Sequence, residues 1–191
     1  TRNYTQLHER LIIQAIGIDW QDGKYQISVH ALKTTDEQEV DLFQAQGDTV
    51  YEALNRITLQ VGKTPLYSQN AGILLGQECA RQGLDKIIDF FIRYHESRPT
   101  QDVFLAAGTA AEIFELKKDD QYVFTEEVDD LSQVGELNAQ MQVKDVVNAL
   151  IHESDDVYLP MLALQKQQVV QVGTGFFHEG SLRGMLGLDQ T

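Results

Sequence analysis

The pair of segments at the start of the chain constrains its fold most. Leu11-Ile-Ile-Gln-Ala-Ile-Gly-Ile-Asp19 is apolar enough for a buried strand. Lys24–Leu32 alternates, placing Tyr25, Ile27, Val29 and Ala31 on one face of a second strand. Between them lies Asp19–Lys24, where Gly23 supplies the positive φ of a tight turn. The spacing therefore predicts a β-hairpin.

A polar loop is expected over residues 33–47. Thr49 and Glu52 then predict a capping box, and Val50, Leu54, Ile57 and Val61 follow at helical spacing. Gly62 ends that helix and Pro65 blocks its continuation. Asn70–Gly76 reads as a short buried strand, Leu84–Arg93 as an amphipathic helix, and Asp102–Gly108 as another strand. A second capping box, Thr109 with Glu112, opens a helix through about Leu116. Val143–Ile151 is helical in spacing, Tyr158–Gln165 and Gln168–Phe177 are strands, and Gly180 separates the latter from a hairpin partner at Ser181–Leu188.

Helices alternating with strands after an opening hairpin predict an α+β, mixed α/β fold: a central mixed sheet covered by helices. Residues 1–116 form its N-terminal core and 117–140 a charged connecting segment. Residues 141–191 supply a helix and closing strands that either complete the same sheet or form a small second lobe. A chain of 191 residues buries roughly 70% of its unfolded surface, enough for a core without staples.

Charge narrows the function. With 29 acidic and 15 basic side chains the formal net charge is −14, a field that repels phosphate backbones and anionic headgroups. Nucleic-acid binding and electrostatic membrane docking are thus disfavoured. No apolar run reaches the length of a membrane span. The single cysteine, Cys79, excludes an intramolecular disulfide, and with Arg81 as its only local cation it is expected to be an inert thiol.

Catalytic, cofactor and metal sites have no visible seat. His8, His30, His95, His152 and His178 show no i,i+4 pair and no Cys–His cluster. His152 beside Glu153, Asp155 and Asp156 lacks the spacing of a calcium loop. Gly173-Thr-Gly175 with Gly180 matches no phosphate-binding fingerprint and reads as strand plus turn. No nucleophile elbow occurs, and carboxylates are too plentiful to single out an acid–base pair.

Several segments together resemble the N-terminal region of the Ger(x)C family of spore-germination lipoproteins. These are the strand closing in Ile16-Gly-Ile-Asp19, the Asp48–Leu59 helix, the Gln77–Arg93 stretch around Gly83, Val103–Leu116 with Gly108, and the closing stretch from Gly175 through Phe177 and Gly184 to Leu188. The resemblance implies a non-catalytic subunit of a spore nutrient-germinant receptor, acting with two membrane-embedded subunits and held at the extracytoplasmic face of the spore inner membrane only by an N-terminal lipid. It gives Ile16, Gly17, Ile18, Asp19, Gly83, Gly108, Gly175, Phe177 and Gly184 as family-motif residues, structural in role. The lipidated cysteine is absent, Cys79 lying too deep to replace it, and so is the family's C-terminal domain. Both departures fit a soluble fragment. A different class of function is a small-molecule module that senses the nutrient directly, for which Trp20, Tyr25 and Tyr67 are the candidate aromatic lining.

Overall fold

A computed structural model of the chain describes residues 10–32, 39–133, 135, 140–152 and 155–188, with the side chains of 69–71 outside the description. The hairpin forms as β1 (Arg10–Gln21) and β2 (Lys24–Leu32). Its strands pair as far as Gln21↔Lys24, leaving a turn of only Asp22 and Gly23. Both have positive φ, 53° and 74°, as a type I′ turn demands. Glycine was legible there; the left-handed Asp22 was not.

One residue in β1 does more than lengthen it. Leu11, Ile13, Ile16 and Ile18 all pack into the larger core cluster, although 13 and 16 differ in parity. A bulge between Ile13 and Ala15 shifts the register against both neighbouring strands. The extra residue restores the inward face and turns Ala15 into the second cluster on the other side.

The stretch read as a polar loop holds a strand, β3 (Asp41–Gly47), antiparallel to β2. Its glutamines conceal it. Gln44 donates to the Ser28 hydroxyl at 3.1 Å and Gln26 to Gln46 at 2.9 Å, so polar side chains form the cross-strand pairs of this sheet edge. Helix α1 (Val50–Val61) follows, and its cap is half a capping box. Thr49 Oγ1 accepts from Glu52 N–H at 3.0 Å, but the Glu52 carboxylate reaches past Thr49 to Asp48 N–H at 3.2 Å.

Next come β4 (Thr64–Leu75), which starts earlier than its apolar run, α2 (Gln77–Gln82), a 3-10 turn (Leu84–Ile87) and α3 (Ile88–Ser97). β5 (Asp102–Ala106) and α4 (Ala110–Phe114) complete the first core, and α4 carries both arms of its capping box. Within the charged segment lie a ribbon, β6 (Lys117–Lys118) with β7 (Gln121–Tyr122), and helix α5 (Phe124–Gln133). Phe124 and Val128 are buried there against Phe104 and Phe114, so two apolar residues in an acidic helix dock it. β8 (Met141–Gln142), α6 (Val143–His152), β9 (Asp156–Gln165), β10 (Gln168–His178) and β11 (Ser181–Gly187) finish the chain.

The result is the mixed α+β architecture expected: a sheet in the order β11-β10-β9-β5-β4-β1-β2-β3, with β8 paired to β5. The closing strands lie in this same sheet. β1, β4, β5 and β9 run parallel as neighbours, so their C-terminal ends gather along one rim. α1, α2, α3 and α6 contribute to the cluster on one face, α4 and α5 to that on the other.

Candidate functional site

In open α/β sheets ligands settle at the C-terminal ends of parallel strands, where helix N-termini present N–H groups. Here that rim is tied shut by the chain itself. Asp19, at the end of β1, accepts from Ala110 N–H at 2.8 Å through Oδ1 and from Ala111 N–H at 2.9 Å through Oδ2. The carboxylate thus sits where an anionic ligand would meet α4. Gly76 N–H donates to Ile18 O at 2.7 Å, and Gln77 N–H to Gly108 O at 2.9 Å, lacing together the ends of β1, β4 and β5.

The glycines are there for room. A Cβ on Gly76 would lie 1.8 Å from Asp19 Oδ1, one on Gly108 2.2 Å from Glu112 Oε1, and one on Gly17 3.1 Å from the Ala110 methyl. Burial pushes the Asp19 pKa up, because desolvation outweighs the two backbone N–H bonds that favour its charge; Glu112 adds to the rise. Four motif residues, Gly17, Ile18, Asp19 and Gly108, therefore meet in or beside this clamp, while Ile16 packs into the larger core cluster.

The others lie elsewhere. Gly83 takes φ 105° between α2 and the 3-10 turn, where Leu84 N–H donates to Gly180 O at 2.7 Å and so pins the tip of the β10–β11 hairpin. Gly175 passes under Leu105, whose Cδ2 would be 2.5 Å from an added Cβ, and Phe177 is fully buried in the main core. Gly184 is exposed on the edge strand opposite Phe176, with open space around it.

Of the aromatic candidates, Trp20 and Tyr25 come together. They are directly opposite in the hairpin, ring centroids 4.8 Å apart at 65°. With Tyr51 and Phe90 they line a groove of about 280 Å³ between the hairpin end, the first turn of α1 and the start of α3. Tyr67 does not join them; it packs edge-on to Tyr94 at 5.1 Å. Tyr51 and Phe90 were missed because each reads as an ordinary helix residue; only the sheet order brings them to the hairpin. Desolvation pushes the Tyr51 hydroxyl up to about 12.

Cys79 is buried, and desolvation pushes its thiol up to about 12, which leaves it protonated and unreactive. His30 is also buried, its Nε2 2.8 Å from Phe114 O and its ring against Phe114 and Tyr122. His178 Nδ1 lies 2.7 Å from Asp156 Oδ1, a pair invisible in sequence, on an exposed surface with no hydroxyl or thiol bonded to the ring among the described residues. No group of three or more His, Cys, Asp or Glu is placed to hold a metal among the described residues, and Glu153 of the His152 stretch falls outside them. No described helix is long and apolar enough to cross a membrane.

A family model described as "Spore germination protein N-terminal domain" matches residues 3–164. No curated protein matches the chain. Among solved structures, that described as "Crystal Structure of the GerBC protein" is 17% identical with a TM-score of 0.47; the match covers 91% of this chain and 52% of that one. The chain thus spans about half the length of that protein.

Proposed function

The chain belongs to the spore germination protein N-terminal domain family, and from that premise we propose that it is part of a non-catalytic subunit of a spore nutrient-germinant receptor. In this reading it is an extracytoplasmic scaffold that contacts and steadies membrane-embedded receptor subunits, with a lipid on the full protein as its membrane anchor. The supporting observation is the Asp19 clamp. The rim at which an α/β sheet usually takes its ligand is filled by the chain's own carboxylate on Ala110 and Ala111 N–H. In this reading the Cys79 thiol, buried and pushed up to about 12, is a core side chain.

Spores lacking the gene test the proposal through loss of refractility on exposure to a panel of nutrients. Failure to respond to at least one nutrient class is expected, with recovery on complementation. A normal response to every nutrient overturns it. The Trp20–Tyr25 groove favours a second reading, in which the same domain senses a small molecule directly.

A further inference from the structure

A cleft of about 350 Å³ opens between β2, the β6–β7 ribbon and α5. Glu126, Asp129 and Asp130 of α5 line it, and no lysine or arginine among the described residues does. None of these three carboxylates has a hydrogen bond or ion pair among the described residues. Lys117 and Lys118 of the ribbon are committed to Asp120 and Glu127. Burial first and the Asp130 charge second push the Asp129 pKa up, as negative charge without a counterion should. Two buried groups add to the demand for a donor. His30 lines the cleft at 1% exposure. Its Nε2 lies 2.8 Å from Phe114 O, which only accepts, so Nε2 carries the proton and Nδ1 a bare lone pair. That Nδ1 has no partner among the described residues, and neither has the buried Oγ1 of Thr125, another residue of the lining. Buried polar atoms are usually paired, so these two call for a ligand rich in donors.

We propose that this cleft receives an arginine side chain from a partner protein, its guanidinium donating to the α5 carboxylates and to the unpaired Thr125 and His30 atoms. A guanidinium carries five N–H groups in a fixed fork and no acceptor, which suits a wall of acceptors better than the three of an ammonium. Across α5 lies a groove of about 630 Å³ that shares Gln121, Glu126 and Asp130 with the cleft. Val123, Leu131, Val169 and Val170 give that groove an apolar lining. A segment laid over α5 therefore places an arginine in the cleft and an apolar neighbour in the groove, which a free cation cannot do. The net charge of −14 favours a basic partner and opposes a second copy of this chain. The inference rests on the scaffold reading above and names the chemistry of its contact.

The test is fluorescence anisotropy with a dye-labelled peptide alternating leucine and arginine, at physiological salt to screen the general field of the acidic chain. A second peptide carries citrulline, the uncharged isostere, in place of arginine. Saturable binding of the arginine peptide is expected, with the citrulline peptide weaker by roughly tenfold or more. Asp129→Asn with Asp130→Asn should weaken the arginine peptide by roughly tenfold. Asp22→Asn with Asp155→Asn removes the same charge at exposed positions outside the cleft, and should leave affinity within about twofold. Thr125→Val deletes an unpaired hydroxyl, so it should weaken binding by about threefold without lowering the melting temperature. Absence of saturable binding overturns the proposal, as does equal binding of the citrulline peptide or an equal loss in the two aspartate pairs. Free methylguanidinium binding as tightly as the peptide overturns the protein partner and gives the cleft to a small cation. Failure here leaves the receptor role standing, because germination of spores lacking the gene decides that separately.

Discussion

Replacing Gly76 with alanine should destabilise the protein through a residue in another strand. Gly76 has φ −64° and ψ 154°, a conformation open to any L-residue, so alanine meets no backbone strain. Its Cβ instead falls 1.8 Å from Asp19 Oδ1 and 3.0 Å from Asp19 Cγ, and the carboxylate must leave. The buried N–H of Ala110 and the half-buried N–H of Ala111 then lose their acceptors. Hydrogen bonds to a charged partner and unmet buried donors each weigh about 1–3 kcal/mol; offset by relief of the desolvated carboxylate, the net loss is about 3 kcal/mol. At about 2–4 °C per kcal/mol for a chain of this size, the melting temperature should drop by about 6–12 °C.

Asp19→Ala alone should cause a similar loss. In that background the nearest remaining contact is Ile18 O at 3.4 Å, so Gly76→Ala should reverse sign and stabilise by about 0.4–1 kcal/mol, the usual gain from reducing unfolded-state freedom. Urea denaturation of the wild type, both single variants and the double variant reads the cycle directly. Additive destabilisation in the double variant would refute the clamp.

Acid should unfold the protein partly through His30, whose burial lowers its pKa from 6.5 to about 4. The unfolded chain takes up the proton first, so the stability is complete above pH 6.5 and lost as pH falls toward 4, by about 3 kcal/mol relative to His30→Gln; parallel pH profiles for the two proteins would refute this. Tyr94→Phe should cost about 1–3 kcal/mol, because Gln101, itself buried, loses the hydroxyl that donates to its Oε1 while still donating to Ser68 O at 2.6 Å. Chemical denaturation measures it, and an unchanged midpoint counts against the network. Thr109→Ala should remove about 1 kcal/mol by opening the α4 capping box, with Thr109→Ser restoring most of it in the same assay.

Much of the fold was legible where local chemistry and tertiary demand agree. The hairpin, the Thr109–Glu112 box and the β10–β11 turn at Gly180 carry their own signals in adjacent residues. β3 was not legible, because an edge strand whose exposed positions are glutamines shows little apolar alternation. Helix α5 was hidden for a related reason: Phe124 and Val128 are few among acids, and what makes them core is the Phe104–Phe114 surface waiting for them. The motif Ile16–Asp19 was visible as a pattern, yet its purpose was not. Asp19 works on residues 91 and 92 positions away, a pairing only the parallel order of β1, β4 and β5 creates. The groove divides in the same way: Trp20 and Tyr25 face each other across a hairpin, whereas Tyr51 and Phe90 arrive from separate helices.

The irregularity between Ile13 and Ala15 bears on how this domain tolerates changes in length. Excising Gln14 would set Leu11, Ile13, Ile16 and Ile18 at strictly alternate positions, so a regular strand without the bulge would keep all four on the same layer. Loss of one residue at this point should therefore be absorbed by straightening the strand, whereas gain of one there would need a second bulge to keep both halves facing the same layer.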